Sequence, residues 1–248
     1  MMIKLNNFFE SKFGIRFVKT RPISNKKNTL PLSIIRPLAT YSPWLEDKEF
    51  DLLYKKIKKH TLIDIYRLYE IFTLASQCSS LDGDYLEVGV WKGGSSAVIE
   101  FARSKFSSKN IFYIADTFTG VVKASKKDPS YRGGEHSDTS KKIVTDLFKT
   151  LNLKEPAILE GIFPDSFPLL SINKLTFLHI DVDTYYSVKG IMEWAMPKLV
   201  KNAVVIFDDY GFQGTQGVTK YVNELIDNSN EFLSIYNLNG HVILIKTR

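Results

Sequence analysis

The chain has a single cysteine, Cys78, in 248 residues. One thiol excludes an internal disulfide and any cysteine-based metal cluster. No run reaches the roughly 18 consecutive apolar residues of a membrane-spanning helix, so no membrane span is expected. The opening MMIKLNNFFESKFGIRF has neither a continuous apolar core nor a small-residue cleavage site. No secretory signal is expected, and a cytoplasmic location is the simplest expectation. The signatures of zinc fingers, RNA-binding sheets and helix-turn-helix units are missing, so no nucleic-acid partner is expected. A G-x-x-x-x-G-K-[ST] phosphate loop is missing too.

What is present describes a globular chain, 44% hydrophobic and 24% charged. Its length suits one large domain, or one domain with an arm. The net charge of +6 is unevenly placed. Residues 1–28 hold seven bases (Lys4, Lys12, Arg16, Lys19, Arg21, Lys26 and Lys27) against Glu10; the remaining 26 bases and 26 acids cancel. The excess therefore sits in a basic N-terminal arm, residues 1–40, which reads as polar and irregular because Pro22, Pro31 and Pro37 break any long helix. It is read as a solvated, partly ordered extension, able to touch an anionic surface.

Beyond the arm, apolar spacing predicts helices over 46–59 and 64–77, the helical lid segment of residues 41–80. From 81 to 248, strands and helices alternate. Strands are expected at 85–90, 111–116, 157–161, 175–181 and 203–208, and helices at 94–104, 139–150, 185–199 and 218–225. FLSIYN and HVILIK, joined by Leu238-Asn239-Gly240, read as a closing antiparallel hairpin. The alternation implies a parallel α/β sheet covered on both faces, with ligands beyond the carboxyl ends of the strands. Glu87, Asp116, Asp181, Asp208 and Asp209 all fall in the last half of a predicted strand or just past it. They should converge on one edge.

The first turn, Glu87-Val-Gly89-Val-Trp-Lys-Gly93-Gly94-Ser95-Ser96, indicates the ligand. A dinucleotide turn needs a second glycine where this chain has Trp91, which argues against a pyrophosphate and an NAD-dependent reductase. A nucleoside without phosphates fits. Asp116 can accept two hydrogen bonds from a ribose diol, and Glu87 can hold a cationic amino group. A nucleoside joined to an amino acid describes S-adenosylmethionine.

The sequence resembles the macrocin O-methyltransferase family, class I S-adenosylmethionine enzymes that methylate sugar hydroxyls. It is most similar to the branch found in bacterial polysaccharide and surface-glycan pathways. YSPW (41–44), TLIDIYRLYE (61–70), YLEVGVWKGGSS (85–96), ADTFTGVVKA (115–124), GGEHSDTS (133–140), GIFPDSFP (161–168), HIDVDTYYSV (179–188) and VVIFDDYG (204–211) carry the likeness. The resemblance implies a Rossmann-like methyltransferase sheet of seven strands, mostly parallel, its last two forming the hairpin. It also implies a divalent metal, usually magnesium, held by the first aspartate of D-x-D-x-Y and by the D-D-Y pair: Asp181, Asp208 and Asp209. Val182 departs from the glycine of many members without removing a ligand.

Chemistry of the residues agrees with that expectation. Clustered carboxylates need a proton or a cation, and hard oxygens suit magnesium, manganese or calcium over zinc or copper. Asp181 is the expected general base. His136, in a polar glycine-led loop, is expected at the acceptor site as a base or hydrogen-bond partner, with Glu135 a weaker candidate. Cofactor contacts are expected from Glu87, Gly89, Gly94, Ser95, Asp116, Thr117, Phe118 and Phe163, the two phenylalanines (with Ile162) flanking the adenine. Asp183 reads as the N-cap of the next helix, His179 as a satisfied core histidine, and His60 and His241 carry no signal. Tyr66, Arg67 and Tyr69 sit on the lid helix. The expected activity is methyl transfer from S-adenosylmethionine, leaving S-adenosylhomocysteine, to a hydroxyl of a sugar or surface-glycan precursor. A phosphate-type or other small-metabolite oxygen, or a catalytically silent cofactor-binding subunit, are the alternatives. The hairpin and N-terminal helices could support a homodimer.

Overall fold

The computed structural model describes residues 2–15, 17, 30–35, 39–106 and 110–248. Chain contacts divide it into two compact units, Met1–Ile34 and Ile35–Arg248. Much of the expected arm, residues 16, 18–29 and 36–38, lies outside the described residues. The first unit departs from the irregular segment expected there. A helix, α1 (Met2–Phe13), precedes all three prolines, and Gly14 at φ 65° follows its end. Asn6 clamps the chain that returns: its side chain donates to the Phe17 carbonyl (2.8 Å) and accepts from the Phe17 amide (2.9 Å).

In the second unit the apolar strands assemble as expected. β1 (Asp84–Val88), β2 (Phe112–Asp116), β3 (Ala157–Glu160), β4 (Leu175–Ile180) and β5 (Leu199–Phe207) are parallel. β6 (Phe232–Tyr236) and β7 (Val242–Lys246) form the antiparallel hairpin, and β7 pairs with β5. The order is β3-β2-β1-β4-β5-β7-β6. The chain leaves β1 toward β2 and β3 on one side and resumes at β4 on the other. The switch therefore lies between β1 and β4, where such sheets open a crevice.

Strand alternation sends side chains to two cores. Tyr85, Ile114, Phe177 and Ile206 face α2 (Lys48–Ile57), α3 (Ile65–Gln77), α4 (Gly94–Lys105) and α5 (Lys141–Leu151). Leu86, Ala115, Leu178 and Val205 face α6 (Tyr185–Ala195) and α7 (Gln216–Asn228). β4 is buried at all six positions, as a central parallel strand covered on both faces should be.

The largest boundary difference lies between α6 and β5. The helix expected to reach residue 199 stops at Ala195, Pro197 lies in a short 3₁₀ turn, and β5 begins at Leu199 rather than 203. Proline cannot donate within a helix, so the helix ends ahead of it. Leu199 pairs with Leu175, but Phe177 pairs with Val204, so β5 carries extra residues. Asn202 takes them up at φ 67°.

Candidate active site

The turn after β1 is built around one close approach. Gly89 has φ 88°, and a Cβ there would lie 1.7 Å from the Asp181 carbonyl oxygen. The Asp181 amide donates to the Val88 carbonyl at 2.9 Å. Only glycine lets the ends of β1 and β4 abut in this way. The amides of Val90 and Trp91 then donate to Asp116 Oδ2 (2.7 and 2.9 Å), and the Phe118 amide donates to Oδ1 (2.7 Å). Asp116 thus ties two loops together while lining the cavity. Trp91 turns toward the 136–140 loop. Its Nε1 donates to Asp138 Oδ1 (2.8 Å), and Lys92 Nζ donates to Oδ2 (2.6 Å).

A cavity of about 300 Å³ opens at the carboxyl ends of β1 and β4. Gly89, Ser95, Asp116, Thr117 and Phe163 line its β1–β3 side, and His136, Asp181, Asp208 and Asp209 the other. His60 to Ile63 and Arg67 line it from the helical segment. Three expected cofactor residues are not among the lining. Glu87 is fully buried in β1, accepting from Ser96 Oγ and sitting 2.8 Å from His179 Nδ1. Both its oxygens are engaged inside the sheet, so it does not present a free carboxylate to an amino group. Gly94 faces the loop before α3: its amide donates to the His60 carbonyl (2.9 Å), and a Cβ would lie 2.6 Å from that oxygen. Phe118, at φ 53°, packs into the core under α2–α5 rather than over a base site. Phe163 packs edge-on against Trp194, ring centres 4.8 Å apart.

At the other end, carboxylate oxygens of Asp181, Asp208 and Asp209 lie within 4.8 Å of one another. Asp208 is held from two directions. Arg67 Nη1 donates to its Oδ1, and His241 Nε2 lies 3.0 Å from the same oxygen. Arg67 Nε donates to Asp64 Oδ2 (2.8 Å), and His241 Nδ1 is 2.6 Å from Glu70 Oε2. Burial alone would raise the Asp208 pKa, but His241 and Arg67 together carry it well below the ordinary carboxylate range. Burial lowers the His241 pKa, and contact with Asp208 and Glu70 more than reverses this. Neither Asp181 nor Asp209 has a direct ion pair among the described residues, and the nearby Arg67 charge only partly offsets the rise at Asp181. Burial, then the Asp208 charge, pushes both well above the usual value. Asp209 Oδ2 is buried without a hydrogen-bond partner among the described residues.

Asp183 is not the helix cap expected of it. It lies at φ 63°, lines the cavity and accepts from the Tyr131 hydroxyl at 2.5 Å. Burial, the largest influence, leaves its pKa raised. The cap of α6 comes from Asp128, 57 residues earlier in the loop between β2 and α5, whose Oδ1 accepts from the Tyr185 amide at 2.8 Å. Glu135 shapes its own loop by accepting from the Arg132 and Gly133 amides (2.8 and 2.9 Å). His179 is fully buried and partnered through Nδ1 only; its Nε2 has no partner among the described residues. His241 is the residue the sequence reading passed over. The antiparallel pairing of β7 with β5 puts the start of β7 beside the end of β5, with Val242 opposite Phe207. That register brings the residue before Val242 next to the residue after Phe207, a signal available from the hairpin.

The sequence profile of the macrocin-O-methyltransferase (TylF) family matches residues 56–231, most of the chain and all of the cavity's polar side chains. The chain belongs to the macrocin-O-methyltransferase family. It is therefore an S-adenosylmethionine-dependent O-methyltransferase, and its sheet order is the Rossmann-like one of that class. It is 26% identical over 190 residues to an 8-demethyl-8-(2,3-dimethoxy-alpha-L-rhamnosyl)-tetracenomycin-C 4'-O-methyltransferase of Streptomyces olivaceus, covering 67% of this chain and 72% of that one. It is 27% identical over 168 residues to the mycinamicin III 3''-O-methyltransferase of Micromonospora griseorubida. There the match covers 61% of this chain and 65% of that protein, just under two thirds of its length. Among solved structures, the O-methyltransferase NovP superposes with a TM-score of 0.64 at 25% identity, covering 76% of this chain and 83% of NovP. No helix among the described residues is long and apolar enough to cross a membrane.

Proposed function

We propose that this family member moves the methyl group of S-adenosylmethionine to a hydroxyl of a sugar or surface-glycan precursor, assisted by a divalent cation held by Asp181, Asp208 and Asp209. One observation carries the metal reading: the unpartnered, buried Asp209 Oδ2 sits in a cluster whose acid oxygens lie within 4.8 Å. A buried acceptor with no donor is costly, and a hard cation satisfies it. Magnesium suits the all-carboxylate donor set, and manganese is the alternative. Arg67 and His241 both engage Asp208 Oδ1, which leaves Oδ2 for the cation.

The cation, when bound, lowers the pKa of an acceptor hydroxyl and fixes its direction. S-adenosylmethionine supplies the electrophilic methyl. The chain's own part is to bind, orient and accept a proton. Asp116, already fixed by three amides, presents its one remaining acceptor site, on Oδ1, to the ribose. Gly89, Ser95 and Thr117 line the path between Asp116 and the acids. Asp181, kept ionised by the cation it would help to hold, takes the hydroxyl proton at its carboxylate from a position lining the acceptor side of the cavity. His136 and Tyr131 line the acceptor side as hydrogen-bonding groups. Residues 41–80 act as a lid through His60–Ile63 and Arg67. In-line transfer then depends on positioning. The name of the Streptomyces olivaceus relative specifies methylation of a rhamnosyl-bearing compound, which supports a sugar-type acceptor.

Calorimetry with S-adenosylhomocysteine, in magnesium and in EDTA, tests this reading. Cofactor binding in both conditions, with a separate magnesium heat that Asp209→Asn abolishes, is the expected result. Absence of any magnesium heat in the parent would remove the metal.

A further inference from the structure

The N-terminal unit has a composition that the methyltransferase chemistry does not use. α1 carries Leu5, Phe8, Phe9 and Phe13, a spacing that gathers them on one face of a helix. Phe17 returns to this face, its ring centre 5.3 Å from that of Phe9. The Phe8–Phe9 and Phe9–Phe13 centres are 5.5 and 5.8 Å apart. The cluster is not sealed. Leu5, Phe8, Phe13, Ile15 and Phe17 remain 47%, 53%, 55%, 49% and 50% exposed. Lys12 lies across it, its Nζ 5.6 Å from the Phe8 ring centre and 5.5 Å from that of Phe13. The same short stretch of sequence, residues 1–28, holds the chain's entire net charge of +6.

We propose that the N-terminal unit is an interfacial anchor that lays the α1 phenylalanine face onto an anionic lipid surface. Three features select this partner. First, an exposed apolar face with a lysine reaching across it is the pattern of a helix lying in a membrane interface, where the lysine stem is buried and its ammonium stays with the headgroups. Second, seven bases against one acid within 28 residues attract a negatively charged leaflet. A second copy of the chain brings no net negative charge, since its remaining 26 bases and 26 acids cancel. Third, Leu5 and Ile15 share the exposure of the phenylalanines, and aliphatic side chains have no base-stacking role in nucleic-acid binding. The apolar face alone is modest, so binding should need both the face and the charge, and salt should weaken it.

The test is sedimentation of the full chain with vesicles of phosphatidylglycerol and phosphatidylcholine, against vesicles of phosphatidylcholine alone. Binding to the mixed vesicles and not to phosphatidylcholine is expected. Replacing Phe8→Glu with Phe13→Glu should weaken it by about tenfold or more, and so should Lys4→Glu with Lys12→Glu. Both variants should keep the parent's affinity for S-adenosylhomocysteine, which shows that the second unit is folded. Absence of binding to mixed vesicles overturns the proposal, as does equal binding to both kinds of vesicle. Retention of mixed-vesicle binding by the phenylalanine variant also overturns it. So does an α1-dependent dimer that buries the face and excludes lipid, or a preference for a random RNA over the mixed vesicles.

Discussion

Arg67→Met removes the one arginine among the described residues that reaches the acid cluster and keeps most of its stem volume. Arg67 and Asp208 are both buried, with side chains 9% and 5% exposed. Losing one partner of a buried pair leaves the other charge stranded and costs about 3–5 kcal/mol. The Arg67 contact to the half-exposed Asp64 adds under about 1 kcal/mol. Its guanidinium also sits 5.1 Å from the Phe212 ring centre, a partly exposed contact of about 0.5–1 kcal/mol. His241 stays beside Asp208 and shields it in part, so the lower end, about 3 kcal/mol, is the expected loss. For a chain of this length that is a fall in Tm of roughly 6–12 °C. The assay is urea and thermal unfolding in EDTA. Arg67 helps hold the Asp208 pKa down, so its removal lets Asp208 bind a proton in the folded state. The loss should therefore be larger at neutral pH than near pH 4. Magnesium should narrow the gap between variant and parent. A variant within about 1 kcal/mol of the parent in EDTA would refute the assignment of Arg67 as the internal counter-charge of Asp208.

Gly89→Ala should cost at least about tenfold in S-adenosylhomocysteine affinity, because φ 88° is strained for alanine and the new Cβ meets the Asp181 carbonyl at 1.7 Å; calorimetry showing parent affinity would contradict the close approach. Asp128→Ala removes a buried carboxylate that accepts from the Tyr185 amide, the Ser125 amide and the Ser125 hydroxyl. A stability loss of about 2–4 kcal/mol is expected in urea, and a change below about 0.5 kcal/mol would sink the capping role. Cys78 is 2% exposed, and burial pushes its thiol up to about 12, so near pH 8 only about one thiol in 10⁴ is ionised. Ellman's reagent should leave it untouched in the native chain and label it once in urea; rapid native labelling would place it at the surface. The fourth concerns pH in EDTA. Asp181 and Asp209 have folded pKa values above the unfolded value, so rising pH strips protons from the unfolded chain first and stability falls. His241, raised as well, stabilises fully below its ordinary value and loses that as pH rises through its folded value. Above roughly pH 5 both slopes run downward. A urea midpoint that rises with pH in that range would contradict the shifts.

The parts of this fold that could be read in the sequence share one property: they depend on neighbours along the chain. Strand alternation gave Tyr85 and Leu86 to opposite cores, and the strand ends delivered Asp116, Asp181, Asp208 and Asp209 to one cavity. The failures are of another kind. Asp183 stands two residues before Tyr185, yet Asp128, in the distant loop between β2 and α5, accepts from the Tyr185 amide; Asp183, at φ 63°, lines the cavity. Glu87 carried the right residue type at the right strand end, yet the in-register pair Glu87↔His179 turned it into a buried internal contact. α1 lies ahead of all three prolines, whose helix-breaking effect does not reach residues 2–13.

The acid cluster also explains why its members cannot be interchangeable. Four aspartates, Asp181, Asp183, Asp208 and Asp209, end two adjacent strands. Among the described residues, Arg67 on α3 and His241 ahead of β7 bring positive charge to the cluster, and both meet Asp208. Tyr131 supplies a neutral donor to Asp183. Asp181 and Asp209 face the cavity with neither, and burial there opposes their ionisation. A sheet could avoid this cost by placing an amide or an apolar residue at either position. Keeping two destabilised acids at the mouth of a cofactor-sized cavity makes sense where a ligand completes them. A cation shared by both and a proton moving to Asp181 would each relieve the same strain. On the proposed reading, Asp208, already neutralised from behind, would be the fixed anchor of the site, and Asp181 the group that changes its protonation.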